Sequence, residues 1–165
     1  GCIDWNFLGE DQRSKKIDPS TKKIKRLINH LSIQCNTLDP FLIAENYDIE
    51  VRYVPFSENP KGQFINLFEK PMILLNESIK DSERRYYVMA HELYHALEHS
   101  SLAGYYVSTG LSRSKLEYEA NRFAATLLLD HYVSENGTMP DTFGRLQLSY
   151  GVDELMADYL EISKK

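Results

Sequence analysis

The stretch His91-Glu92-Leu93-Tyr94-His95 carries two imidazoles four positions apart, with a carboxylate directly after the first. Residues four apart lie on the same face of an α-helix, so both rings can reach one metal ion. Two neutral imidazoles suit tetrahedral Zn²⁺, and a third protein ligand would leave one position for water. Glu92 lies close enough to take a proton from that water. The stretch therefore matches H-E-x-x-H, the signature of zinc hydrolases.

The residues around this stretch favour a buried helix. A surface helix with an accidental pair of exposed histidines would also satisfy so short a motif. A helix with apolar residues on several sides is largely buried, however, and buried histidines need partners such as a metal ion. We predict a helix over about residues 79–99. Its apolar residues next to the motif are Tyr86, Tyr87, Val88, Met89, Ala90, Ala96 and Leu97.

The next predicted helix, over about residues 114–129, offers two candidates for a third ligand, Glu117 and Glu119. At about 100° per residue, Glu117 lies about 60° from the centre of the apolar stripe and Glu119 about 100° away. This turns Glu117 toward the interior, where a carboxylate needs a cation. In the alternative, Ser114 and Glu117 form a capping box at the helix start. Asn121 is placed to hydrogen-bond one of the histidine rings.

Length and composition fit one compact globular domain. The chain has 165 residues, of which 42% are hydrophobic and 26% charged, and no apolar run is long enough to span a membrane. A net charge of −5 argues against a general affinity for nucleic acid, and we interpret a basic cluster over residues 15–26 as a solvated helix face. Cys2 and Cys35 are too few for a disulfide framework, which favours a reducing, cytoplasmic location.

The hydrophobic pattern divides the chain into an arm and a body. Residues 1–19 show no clear period and are predicted to form an N-terminal arm, and residues 20–165 a single domain. Ser20 and Asp39 are the predicted N-caps of the first two helices. C-terminal docking helices are expected over about residues 140–163. Residues 49–54 alternate and predict a short strand, and residues 63–68 and 72–75 are two more strand candidates between turns.

The predicted fold class is therefore α+β. We expect a mostly helical domain in which a small, mainly antiparallel three-stranded sheet packs against the H-E-x-x-H helix. Such a sheet beside the motif helix offers an edge along which an extended peptide could pair.

Two stretches together resemble the ImmA/IrrE family of metallopeptidases. They are H-E-L-Y-H-A-L-E-H, residues 91–99, and E-Y-E-A-N-R-F-A-A-T-L-L, residues 117–128. The similarity covers about residues 20–130. It implies a gluzincin-like core in which the two motif histidines and the first glutamate of the second stretch bind zinc while the motif glutamate is catalytic. In this sequence these residues are His91, His95, Glu117 and Glu92.

The resemblance also implies an activity and a partner. Members of the family are similar to site-specific proteases that cut a helix-turn-helix repressor, often encoded beside it on a phage or mobile element. We therefore expect zinc-dependent peptide-bond hydrolysis, a protein partner, and no direct contact with nucleic acid or membrane. Two positions differ from the family pattern: Tyr94 replaces the usual glycine, and Leu129-Asp130 stands where methionine-proline is common.

Two non-enzymatic alternatives remain open at this stage. One is a module of the same fold that binds a repressor without cutting it, and the other is a regulatory partner of the toxin–antitoxin kind. The intact Glu92 favours the enzyme, because a structural metal site needs no base. The group that stabilises the oxyanion is not identified, and Tyr105, Tyr106 and His131 are candidates because they flank the two helices. His99 is expected to be solvated or to support a ligand.

Overall fold

The computed structural model describes residues 18–100, 102 and 111–164. The predicted arm thus lies outside the described residues, apart from its last two positions. Short 3₁₀ helices occur at Glu77–Ile79 and Glu154–Met156. The helices and strands, in chain order, are α1 Pro19–Cys35, α2 Pro40–Asn46, β1 Glu50–Val54, β2 Gly62–Leu67, β3 Lys70–Asn76, α3 Arg84–His99, α4 Arg113–Asn136, α5 Phe143–Tyr150 and α6 Ala157–Leu160.

Capping side chains explain where several helices begin. Asp39 accepts a 2.8 Å hydrogen bond from the backbone N–H of Phe41 and caps α2, as predicted. The prediction of Ser20 as the cap of α1 is wrong. Asp18 takes that role by accepting from the Ser20 N–H at 3.0 Å, with Pro19 in the tolerated first position. The motif helix α3 begins at Arg84 rather than near Ile79, because Ile79 ends a separate 3₁₀ turn.

The three strands form one sheet in the order β1-β3-β2, and the α+β prediction is confirmed. β2 and β3 make an antiparallel hairpin, but β1 pairs in parallel with β3, with Glu50 opposite Met72. The sheet is therefore mixed rather than mainly antiparallel. The physical reason is the connection over residues 55–61, which carries the chain from β1 to the far side of β3. As a result β2 is an edge strand.

The motif helix α3 lies between the sheet and α4, and its apolar side chains form the centre of the core. Tyr94, at the position where the family usually has glycine, is only 1% exposed and packs on Phe123 with ring centroids 5.2 Å apart. α4 runs past Leu129-Asp130 to Asn136 because no proline interrupts it. None of the helices in the described ranges combines the length and apolar character needed to cross a bilayer.

Two helix-ending glycines offer a matched stability test. Gly137 and Gly151 both have positive φ, 76° and 64°, but a Cβ on Gly137 would meet open space whereas one on Gly151 would lie 2.4 Å from Arg84 Cα. We expect Gly137→Ala to lower the free energy of unfolding by about 1 kcal/mol and Gly151→Ala by about 3 kcal/mol or more. Urea denaturation of the two variants measures the difference. Equal losses would show that the contact with α3 is not tight.

The Asp18 cap predicts a pH dependence of stability. The Ser20 N–H, followed by Arg122, lowers the pKa of Asp18 below its usual 3.8. The ionised form is thus favoured in the folded protein, so its stabilising effect is present above pH 3.8 and disappears as the pH falls through the lowered pKa. Asp18→Asn keeps a capping oxygen but loses the charge. We expect wild type to have the higher melting temperature at pH 7, and the difference to shrink as the pH is lowered below 3.8.

Candidate metal centre

The two motif histidines point to the same spot from successive turns of α3. Their Nε2 atoms are 3.1 Å apart, and their ring centroids are separated by 4.8 Å. Both side chains are mostly buried. Burial, followed by the neighbouring His91, lowers the pKa of His95, so this ring is neutral at pH 7. A neutral imidazole is the form that binds a metal ion.

The carboxylate of Glu117, from α4, lies against both imidazoles. One oxygen is 2.9 Å from Nε2 of His91, and the other is 2.8 Å from Nε2 of His95. Ligands at about 2.1 Å from a tetrahedral zinc ion are about 3.4 Å from one another. The three donors are thus slightly closer together than they would be around such an ion, and a small outward movement of each would accommodate one.

The side of His91 away from this cluster is held by hydrogen bonds. Its Nδ1 donates to Asn121 Oδ1 at 2.8 Å, and the Tyr87 hydroxyl donates to the same oxygen at 3.4 Å. With its proton on Nδ1, His91 presents a lone pair at Nε2, which faces an oxygen lone pair of Glu117. Two such lone pairs repel each other unless a proton or a metal ion lies between them. The donor set therefore fits a metal ion, and the predicted contact of Asn121 with a histidine is confirmed.

The structure corrects the reasoning that distinguished Glu117 from Glu119. The side chain of Glu117 is 49% exposed, whereas Glu119 is buried. The angular estimate failed because the middle of α4 is buried on nearly all sides, while its first turns border an open cleft. The capping-box alternative is also wrong, because Ser112 caps α4 and accepts from the Lys115 N–H. Of the two glutamates, Glu117 is the one that meets the histidines.

Glu92 lies behind the histidines with its side chain packed under the sheet. The residue is 8% exposed, and its Oε2 has no hydrogen-bond partner among the described residues. Burial, reinforced by the charge of Glu117, raises the pKa of Glu92 to about 7. Ligand atoms of Glu92 and the two histidines all lie within 4.8 Å of one another. A free carboxylate oxygen at this position can exchange a proton with a nearby reacting group.

These groups open into a cleft of about 1270 Å³. The start of β2 forms one wall and the turn after α5 forms the opposite one. α3 and the first turns of α4 form the floor. The motif did not reveal the other residues of this cleft, because they come from distant parts of the chain. They include Gly62, Phe64, Arg84, Arg113, Gln147, Val152 and Asp153.

Two further histidines that were candidates for the site lie apart from His91 and His95. His99 is exposed, lies 3.4 Å from the side-chain amide of Asn66 and packs on Phe64, so it borders the cleft without joining the other histidines. His131 is buried against Tyr150 and is not among the residues that line the cleft. Tyr105 and Tyr106 lie outside the described residues.

A helix with two converging imidazoles and a buried carboxylate, joined by a second carboxylate from the next helix, is typical of the metallopeptidase class of site. The comparison with protein families leads to the same class. The sequence model of peptidase family M78, the IrrE N-terminal-like domain, matches residues 44–134, which is more than half of the 165-residue chain. The chain belongs to this family, which confirms the resemblance seen in the sequence. None of the curated proteins matches the chain.

Family membership makes the protein a metal-dependent peptidase that acts on a protein substrate. The matched residues extend from α2 almost to the end of α4. They include the whole sheet together with His91, Glu92, His95 and Glu117. The turn after α5, which forms one wall of the cleft, lies outside the matched residues.

Proposed function

We propose that this protein is a zinc-dependent peptidase that cuts a helix-turn-helix repressor at one site and is linked to a phage or mobile element. The observation that supports the hydrolytic part best is the convergence of His91, His95 and Glu117 beside the unpaired oxygen of Glu92. The repressor and its genetic linkage come from the family resemblance. The cytoplasmic location goes with such a substrate.

The proposed metal ligands are His91, His95 and Glu117. Two imidazoles and one carboxylate are a donor set that zinc enzymes use for catalysis. When bound, Zn²⁺ would lower the pKa of a water and polarise the carbonyl of the peptide bond. Asn121 holds the proton of His91 on Nδ1 and so keeps Nε2 available.

Glu92 is the proposed general base. It would accept the proton of the attacking water and then deliver it to the nitrogen of the leaving amine. Its burial supports this role, because a carboxylate whose pKa is raised to about 7 can both take and return a proton near neutral pH. Glu92 directly follows the proposed ligand His91, so its carboxylate lies close to the reacting groups without itself binding the metal.

The edge strand β2 is the proposed binding site for the substrate chain. β2 pairs only with β3 among the described strands, and Gly62, Gln63 and Phe64 line the cleft. An extended peptide can pair with such an edge through its main chain. The cleft is therefore suited to an unfolded or extended segment of a protein substrate, and a repressor would have to present its cut site in that form.

The test is cleavage of the repressor encoded by the adjoining gene. Purified wild-type protein with added Zn²⁺ is expected to produce two fragments whose masses define one cut site, and a chelator should prevent this. Stable binding of the repressor without any cut would instead support the non-catalytic alternative. Cleavage that a chelator does not affect would contradict metal dependence.

A further inference from the structure

We propose that Gly62 is a positioning residue that sets the direction of the Glu92 carboxylate. This inference rests on the proposed function, because it matters only if Glu92 is the base. Gly62 is the first residue of β2 and lies at the wall of the cleft, directly over the motif helix. The positioning role of Gly62 follows from the lack of room for a side chain at this position.

A side chain at position 62 would collide with the motif helix. A Cβ built there would lie 2.5 Å from Val88 Cγ1, 3.1 Å from Glu92 Cγ and 3.4 Å from Leu75 Cδ2. The φ of Gly62 is not in the left-handed region, so an L-residue could adopt its backbone conformation. Glycine is thus required here for close approach of the strand to the helix.

The neighbours of Gly62 cannot easily make room. Val88 is β-branched and has one strongly preferred rotamer within a helix. Leu75 is fully buried in the core. Glu92 is the remaining neighbour, and it is held by packing along its aliphatic part. Any added atom at position 62 would therefore displace either the strand or the Glu92 side chain.

The strand is also held in place from its other side. The side-chain amide of Asn76 donates to the carbonyls of Ser57 at 2.9 Å and Pro60 at 3.1 Å. The Asn76 backbone N–H donates to the carbonyl of Lys61 at 2.8 Å. Asn76 is itself buried, at 1% exposed. Because these bonds fix the residues directly before Gly62, a larger residue would press on the Val88 and Glu92 side chains of the motif helix rather than move the strand.

The test compares Gly62→Ala, Val88→Ala and the double variant with wild type. We expect Gly62→Ala to lower kcat for repressor cleavage by about tenfold or more, since small misplacements of a catalytic group have effects of this size. Zinc content should stay at one ion per chain, because the three atoms nearest to a Cβ at position 62 belong to none of the proposed ligands. Adding Val88→Ala removes the closest contact and should restore most of the loss. Gly144→Ala, where a Cβ would meet only Thr142 Oγ1 at 3.7 Å, is the matched control.

A second readout does not depend on turnover. The visible absorption of the Co²⁺-loaded protein responds to the groups around the ion, so Glu92→Gln should change it. Gly62→Ala should change it in the same direction, and the double variant should return it toward that of Val88→Ala. If Gly62→Ala alone does not fold, the double variant still carries the 3.1 Å contact with Glu92 Cγ, so both readouts are expected to differ from those of Val88→Ala in the same direction by a smaller amount.

The outcomes separate this inference from the proposed function. Normal kcat and spectrum in Gly62→Ala would overturn the positioning role, as would a raised KM with unchanged kcat. A loss that Val88→Ala does not relieve would do the same. If Glu92→Gln cleaves as wild type does, the assignment of the base fails, and the Co²⁺ spectra then decide whether Gly62 still orients the Glu92 side chain.

Discussion

Replacing Glu92 with glutamine is expected to reduce the rate of repressor cleavage by about 10²–10⁴-fold, the range that a general base contributes. Glutamine has the same shape but cannot take the proton of the attacking water. Because Glu92 is buried and its Oε2 is unpaired, a neutral amide there should not weaken the fold. Single-turnover cleavage with excess enzyme measures the chemical step directly.

The controls for this variant are metal content and thermal unfolding. Both should match wild type, because His91, His95 and Glu117 are unchanged. An inactive variant that had lost its zinc would point to a ligand role for Glu92. A fully active one would rule it out as the base.

Glu117→Ala is expected to weaken zinc binding by more than about 100-fold, because it removes a ligand, and even supporting residues contribute about 10–100-fold. Glu119→Ala should keep zinc. The more exposed of the two glutamates is the one at the site. Half-exposed Glu117 contacts both imidazoles, whereas buried Glu119 is not among the cleft-lining residues. Competition with a chromophoric chelator gives both affinities.

Thermal unfolding with and without zinc provides an independent measure. Binding to the folded state alone contributes about 4 kcal/mol when zinc is at about 1,000 times its Kd. Wild type and Glu119→Ala should therefore gain melting temperature on adding zinc, and Glu117→Ala should gain little. Without zinc, Glu119→Ala should have a lower melting temperature than Glu117→Ala, because only Glu119 is buried. Zinc stabilisation lost in Glu119→Ala but kept in Glu117→Ala would identify the other glutamate as the ligand.

Much of the candidate site could be predicted because it depends on local spacing. The four-residue separation of His91 and His95 places them on one helix face, and this alone brings the two rings together. The choice of Glu117 was right about its contacts with the histidines but for a wrong reason, since a helical projection cannot tell an open cleft from a core. The contact of Asn121 with one of the histidine rings was predicted from its position one turn after Glu117, and the structure shows that the ring is that of His91.

Long-range features of the fold could not be read from the sequence. Alternation identifies strands but does not say which of them pair, so the parallel partnership of β1 and β3 was missed. The cap of α1 was misplaced by two residues because serine and aspartate are both good caps. The tight fit of Gly62 depends on Val88, and only the folded chain brings that residue to it.

The turn at Gly151, which lies outside the family match, packs against the beginning of the motif helix. Because the backbone of Gly151 packs on Arg84, the segment over residues 147–153 is anchored to the same helix that carries the two histidines and Glu92. Part of the cleft lining therefore comes from residues that the family match does not cover, while the proposed ligands and base lie within it. If a substrate contacts this segment as well as β2, exchanging the segment would change which sequences are cut and leave the hydrolytic residues in place.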